Sequence, residues 1–290
     1  MRKTVISPAK VNLYLKVLSK RSDGYHNILS IVDIISLCDT VHIEDTENDE
    51  IVVCDDQGIL PRGEDNTVFR AARLLKEAAA VRRGVRIDIE KRIPIGSGLG
   101  GPSTNAATVL KELSTLWGLG LKKEDQCRIG SMVGADVPLF IHGKPCVMEG
   151  IGDIVNPVEL PFMWYLIVYP NIAISTRLVY EGLKIVLTKK ENDIKLMSNF
   201  KKIGDITSIL ENDLEYTGIT MCPQIGAIKN RLKEAGALGS LMSGSGSSVF
   251  GIFENREDAR KASSAVENMG RVIVASSYRG GVGADGDNGC

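Results

Sequence analysis

Between Glu90 and Leu116 the chain reads EKRIPIGSGLGGPSTNAATVLKELSTL, and Gly96, Gly98, Gly100 and Gly101 fall within six consecutive positions. A backbone without Cβ atoms bends tightly and comes close to a ligand. Where such a loop runs into a helix, the first-turn amides have no intrahelical partner and the peptide dipoles place partial positive charge there. That chemistry suits a phosphate chain. A glycine-rich turn before an ordinary helix is the structural alternative. A second chemistry-bearing stretch is Gly134-Ala135-Asp136-Val137-Pro138-Leu139-Phe140, where one carboxylate sits among apolar neighbours. Within hydrogen-bond reach of an alcohol, a partly desolvated Asp136 could accept its proton. An Asp that caps the helix or turn after Gly134 is the competing reading.

The flanking residues say which elements hold the loop. Val85 to Glu90 alternate apolar with polar, the pattern of a strand. From Ser103, a Ser/Thr/Asn start precedes an apolar stripe of Ala106, Val109, Leu110, Leu113 and Leu116, the pattern of a helix. Pro102 suits a helix entry, where its missing N–H removes one phosphate donor but breaks no helical bond. Gly96, Gly98 and Gly101 also spell G-x-G-x-x-G, yet the charged Lys122-Lys123-Glu124-Asp125 beyond the helix makes a poor second buried strand for a dinucleotide fold. Gly101-Pro102-Ser103 does not match a P-loop's Gly-Lys-Ser/Thr, and no H-R-D or D-F-G follows as in a protein kinase.

With 290 residues, 43% of them hydrophobic, the chain can bury one large or two medium cores. Its 35 basic and 36 acidic residues nearly cancel, so bulk attraction to nucleic acid or membrane is not expected. The N-terminus MRKTVISPAKVN lacks the apolar core of a leader, which points to a cytoplasmic protein. Six scattered cysteines, with no C-x-x-C pair, are expected as free thiols rather than zinc ligands.

Thr4–Ile6, Val11–Val17, Ile28–Leu37, Val41–Ile43 and Ile51–Val53 read as strands, with an Asp23-Gly24 turn after the second. A helix starts at Asp65-Asn66-Thr67, a short one covers Lys122 to Met132, and strands follow at Pro145–Met148 and Trp164–Tyr169. Polar helical stretches run to about Tyr216. From Cys222 the order is helix, strand Leu238–Met242, loop Ser243–Ser248, strand Val249–Phe253, helix Arg256–Met269 and strand Arg271–Ala275. That alternation suggests an antiparallel sheet backed by helices. The last residues, GGVGADGDNGC, read as a mobile tail.

Three motifs now stand in order: Pro8-Ala9-Lys10-Val11-Asn12-Leu13, the loop Pro94–Thr104, and Leu241-Met242-Ser243-Gly244-Ser245-Gly246-Ser247-Ser248. Together they resemble the GHMP small-molecule kinases, which bind ATP at a glycine loop unrelated to the P-loop. Arg21-x-Asp23-Gly24-Tyr25-His26 and Gly134-Ala135-Asp136-Val137-Pro138 extend the likeness over nearly the whole chain. They point to the branch that phosphorylates the 2-hydroxyl of 4-diphosphocytidyl-2-C-methyl-D-erythritol, in the non-mevalonate route to isoprenoid precursors. The resemblance implies an α+β, two-lobed fold with a mixed, β-rich N-terminal lobe over 1–155, a C-terminal antiparallel sheet backed by helices over 156–279, and a tail over 280–290.

By similarity, Lys10 and Asp136 are the catalytic pair. ATP falls to Pro94, Ile95, Gly96, Ser97, Gly98, Leu99, Gly100, Gly101, Pro102, Ser103 and Thr104, with Asn66 and Lys91 near the adenine. Asn12, Tyr25, His26, Thr176, Tyr180, Gly244 and Ser245 fall to the cytidine-diphosphate-linked sugar alcohol, Tyr180 as the aromatic face opposite Tyr25 and His26. Mg²⁺ is expected to accompany ATP, with no ligand evident in the sequence. The expected partner is this small molecule, with neither nucleic acid nor membrane, and a monomer or homodimer. Pro102 replaces a usual glycine, Thr104 a usual serine and Arg177 a usual proline, the last leaving the surroundings of Thr176 and Tyr180 less defined. A solvated surface lysine remains the alternative for Lys10, and a core tyrosine the alternative for Tyr180. The competing functions are a homoserine- or mevalonate-type kinase, a catalytically silent nucleotide-binding regulator, and a nicotinamide oxidoreductase.

Overall fold

The computed structural model describes residues 2–183 and 200–280. In chain order its strands and helices are β1 (Arg2–Lys20), β2 (His26–Thr46), β3 (Ile51–Asp55), α1 (Thr67–Ala78), β4 (Gly84–Glu90), α2 (Gly101–Leu116), α3 (Lys123–Val133), α4 (Val137–His142), β5 (Cys146–Glu149), β6 (Ile154–Pro157), β7 (Trp164–Tyr169), α5 (Thr176–Glu181), α6 (Ile203–Thr207), β8 (Glu211–Asn212), α7 (Glu215–Met221), α8 (Gln224–Glu234), β9 (Gly239–Met242), β10 (Val249–Phe253), α9 (Arg256–Ser263) and β11 (Arg271–Ser276). Among the described residues, β1–β6 and β8 make one sheet with central order β3-β4-β2-β1-β8, and β5 pairs with β2 and β6. The second sheet, in the order β11-β7-β10-β9, is antiparallel throughout.

The alternation of side chains along the strands explains the layering. On β2, Val32 and Ile34 join α1, α2 and α4 in one core, whereas Ile31 and Ile35 face a second core shared with Tyr165 and Ile167 of β7. On β7, Leu166 and Val168 point the other way, against α8 and α9. Successive residues of one strand thus serve opposite layers. The result is helices, sheet, sheet, helices, an α+β arrangement.

Two segments that read as separate strands prove continuous. β1 covers Thr4–Ile6 and Val11–Val17, and β2 covers Ile28–Leu37 and Val41–Ile43, because register shifts between Pro8/Ala9, Asn12/Tyr14 and Val17/Ser19 bend the pair without ending it. The boundary expected at 155/156 falls within β6, which still belongs to the first sheet. A polar helical reading to Tyr216 is corrected at Glu211–Asn212, where β8 runs parallel to Tyr14–Leu15. The rest of that reading, at 184–199, and the expected tail at 281–290 lie outside the described residues. Among the described residues Cys54, Cys127, Cys146 and Cys222 are free thiols as expected.

The chain past β11 closes the shared core. Arg279 and Ser277 donate to the buried Asp33 carboxylate at 2.7 and 2.6 Å, and the Tyr165 hydroxyl donates to it at 2.8 Å. Burial pushes the Asp33 carboxyl above its ordinary value, and the Arg279 guanidinium works against that shift. Replacing Arg279 by Met leaves a buried anion without its counter-charge, at a cost on the order of 3 kcal/mol. Urea denaturation checks this: an unchanged midpoint would show that the pair does not hold the two sheets together.

Candidate functional site

Strand alternation also places the first motif. Ala9, Val11 and Leu13 are fully buried in the shared core, so Lys10 and Asn12 project from the opposite face, into a cavity of about 940 Å³. The cavity lies within the range of small-molecule sites. Its wall includes the loop residues Pro94, Gly96, Ser97, Gly98, Gly100, Gly101, Pro102 and Ser103, then Asp136, Tyr25, His26, Thr176, Tyr180, Gly244 and Ser245. All three motifs therefore meet in one place.

Their meeting is covalently remote but tightly bonded. The Lys10 amide donates to the Leu99 carbonyl at 3.0 Å. The Ser243 hydroxyl accepts from the Asn12 amide at 3.3 Å and donates to the Gly98 carbonyl at 3.0 Å. The Ser248 amide donates to the Ser97 carbonyl at 3.1 Å. Gly98 sits at φ +78°, and a Cβ there would lie 2.1 Å from the Ser243 carbonyl oxygen. Only a side-chain-free residue fits. Gly100, at φ +78°, ends the loop as the N-cap of α2, and Pro102 lies in the first turn. No side chain caps this helix start, and Gly101, Pro102 and Ser103 line the cavity.

The capping alternative for Asp136 is not what the structure shows. It occupies the N-cap position of α4, yet its side chain caps nothing. Its Oδ2 instead lies 3.8 Å from Lys10 Nζ, and the Asp136 side chain stays 36% exposed while that of Lys10 is 7% exposed. Burial lowers the Lys10 ammonium from its ordinary value, and Asp136 opposes the shift. Lys10 Nζ also donates to Asn12 Oδ1. Behind them burial, and then the Asp136 charge, push the Cys146 thiol up to about 12.

On the far wall the rings of His26 and Tyr180 stack with centroids 5.1 Å apart, and Tyr25 is exposed. Tyr180 was expected to face Tyr25 and His26 across a ligand, but it touches His26 directly, which leaves no gap between those two rings. The Thr176 and Ser245 hydroxyls bond each other at 2.8 Å, tying α5 to the third motif. Arg177 and Glu181 line the same wall and pair at 2.8 Å.

Several residues expected at the ATP site have partners within the fold. Asn66 does not line the cavity: its side chain caps α1 by accepting from the Val68 and Phe69 amides. Lys91 is buried against Asp39, which also accepts from the Arg92 and Ile93 amides at 2.7 and 2.8 Å and from Asn105 Nδ2 at 2.9 Å. That cluster props the loop from below. The Thr104 hydroxyl is fully buried and accepts from Ser7, so only Ser103 offers a loop-helix hydroxyl to the cavity. Leu99 is buried, and the Ile95 carbonyl accepts from Tyr169. The sequence reading missed Asn212, whose Nδ2 donates to both the Met242 and Gly244 carbonyls at 2.8 Å. Only the Asn-Asp pair at 212–213 hinted at a turn there. It also missed Lys20, Ile28, Met148 and Leu214 on the wall.

The chain matches the models of the GHMP kinases N terminal domain over residues 66–144 and of the GHMP kinases C terminal region over 193–272. It is 44% identical over 276 residues to a 4-diphosphocytidyl-2-C-methyl-D-erythritol kinase of Geobacter metallireducens, covering 94% of this chain and 97% of the relative. A protein of the same description from Caldicellulosiruptor bescii is 39% identical over 279 residues, covering 95% and 98%. A crystal structure of 4-(cytidine 5'-diphospho)-2C-methyl-D-erythritol kinase superposes with a TM-score of 0.81 at 32% identity, covering 96% of this chain and all of that one. Homoserine kinase from Cytophaga hutchinsonii shares the fold, with a TM-score of 0.73 at 19% identity over 96% of this chain and 94% of that one.

Substituting Gly98 by Ala forces a side chain into a left-handed backbone position against a carbonyl. ADP affinity, measured by calorimetry, is expected to fall about tenfold or more, since such strain is of order 1–3 kcal/mol. Unchanged affinity in the folded variant would separate the loop from nucleotide binding.

Proposed function

We propose, for a chain that belongs to the GHMP kinases and within them to the 4-diphosphocytidyl-2-C-methyl-D-erythritol kinase family, that its cavity moves the γ-phosphoryl group of ATP to the substrate's 2-hydroxyl, giving the 2-phosphate and ADP. The observation that carries this reading is Asp136 lying 3.8 Å from Lys10, at one cavity with the uncapped start of α2.

The triphosphate lies along Gly98 to Ser103, where backbone amides and the Ser103 hydroxyl neutralise oxygens that ordinary side chains would crowd. Asp136 takes the proton of the 2-hydroxyl as that oxygen bonds to the γ-phosphorus and the bond to the β-phosphate oxygen breaks, releasing ADP. Lys10 is held by burial, Asn12 and Asp136, and offsets charge growing between acceptor and phosphoryl group. A Mg²⁺ ion accompanying ATP would offset charge on the phosphates that the loop holds. Among the described residues no three His, Cys, Asp or Glu side chains cluster as a cage.

At the other end, Tyr25, His26 and Tyr180 supply faces for cytosine, which exchanges the His26–Tyr180 stack for stacks on the base. Gly244 and Ser245 hold the diphosphate through backbone amides, their loop fixed by Asn212. Among the described residues no helix is long and apolar enough to cross a membrane.

Coupled ADP release with the diphosphocytidyl alcohol, against homoserine and mevalonate, tests substrate choice: turnover is expected with the first alone, and comparable turnover with either rival contradicts the proposal. Lys10→Met and Asp136→Asn are each expected to lower kcat by about 10²–10⁴-fold with little change in KM for ATP. Near wild-type turnover in either variant removes that residue from the chemistry.

A further inference from the structure

The proposed role of Lys10 raises the question of what aims its ammonium, and the answer lies one strand away. Ser30 of β2 is fully buried beside β1. Its hydroxyl donates to the Tyr14 carbonyl at 2.7 Å, and it accepts from Asn12 Nδ2 at 2.8 Å. A peptide carbonyl can only accept, so the one proton of Ser30 is committed there and only lone pairs remain for Asn12. The Asn12 amide must therefore present its NH₂ group to Ser30. Its oxygen is left facing Lys10 Nζ, which donates to it. With the amide turned over, its NH₂ would face the Lys10 ammonium, donor against donor, and its oxygen would face the Ser30 oxygen, acceptor against acceptor. The orientation of Asn12 is thus set by the logic of donors and acceptors, starting from a backbone carbonyl of β1.

We infer that Ser30 is a positioning residue for phosphoryl transfer: it locks the Asn12 amide so that Oδ1 holds the Lys10 ammonium toward Asp136. This inference rests on Lys10 acting in the transfer. The charged groups facing the ammonium are few. Asp136 comes from the N-cap of α4, and the Cys146 thiol from β5 stays neutral. Against their help, burial disfavours the charged ammonium. An amide oxygen in contact stabilises the charged form, whereas an amide NH₂ in its place repels it. Activity that needs the ammonium is present at low pH and is lost as pH rises through the lowered pKa of Lys10. A turned Asn12 moves that loss to lower pH still.

The test is the pH dependence of kcat in the intact enzyme. Ser30→Ala, which removes the relay while keeping nearly the same volume, is expected to lower kcat about tenfold and to shift its alkaline limb down by about one pH unit, with KM for ATP little changed. Ser30→Thr keeps the hydroxyl and is expected to retain the wild-type limb. A purely structural Ser30 would lower stability and active fraction without moving the limb. Asn12→Asp serves if the alanine variant fails to fold, because a carboxylate beside Lys10 is expected to shift the limb upward. An unmoved limb in Ser30→Ala, or in Asn12→Asp where that is the variant measured, overturns the inference. Lys10→Met distinguishes the two levels: full activity there removes the premise, whereas a dead Lys10→Met beside an unmoved limb removes Ser30 alone.

Discussion

The Ser243 hydroxyl joins three distant parts of the chain. It accepts from the Asn12 amide of β1 and donates to the Gly98 carbonyl of the glycine loop, while its own backbone belongs to the turn between β9 and β10. Such contacts require backbone to approach backbone with no side chain between, which Gly98 alone permits. This junction, together with the Lys10–Leu99 and Ser248–Ser97 backbone bonds, holds the lysine and asparagine of the first motif, the loop of the second and the loop of the third in fixed mutual positions. The two sheets reinforce it through their shared core of Leu13, Ile31, Tyr165 and Phe250, so site geometry inherits the rigidity of close-packed layers.

Division of labour within the site follows from burial. Lys10 is enclosed and needs partners to remain charged, whereas Asp136, at the mouth of α4, keeps access to a ligand. A second lysine, Lys91, is buried beneath the same loop and paired with Asp39. Breaking such a pair strands a charge, which makes it a structural strut rather than a reagent. Two buried lysines near one loop thus differ in the exposure of their carboxylates: Asp39 is sealed and Asp136 is open.

Much of this was legible from residues alone. The strand before Pro94, the glycine run and the apolar stripe on α2 were read from periodicity, and the helix-strand order after Cys222 matched the second sheet because local patterns there agree with tertiary packing. Lys10 and Asp136 came from the likeness to a family, and the apolar neighbours of Asp136 alone left capping open. What escaped the sequence depended on distant partners. Asn66 and Thr104 spend their polar atoms inside the fold, Lys91 meets Asp39 from 52 positions away, and Asn212 reaches the third motif from an edge strand of only two residues. No local period encodes such pairings. The bulges that keep β1 and β2 continuous were likewise invisible, since they interrupt the alternation that signals a strand.

A crystal structure of the enzyme with a non-hydrolysable ATP analogue and the diphosphocytidyl alcohol tests the central claim most directly. The account predicts the triphosphate along the backbone of residues 98–103, with Pro102 donating nothing, and the acceptor hydroxyl within hydrogen-bond reach, about 3 Å, of both Lys10 Nζ and the Asp136 carboxylate. A γ-phosphate bound elsewhere, or an acceptor hydroxyl turned away from that pair, would contradict it.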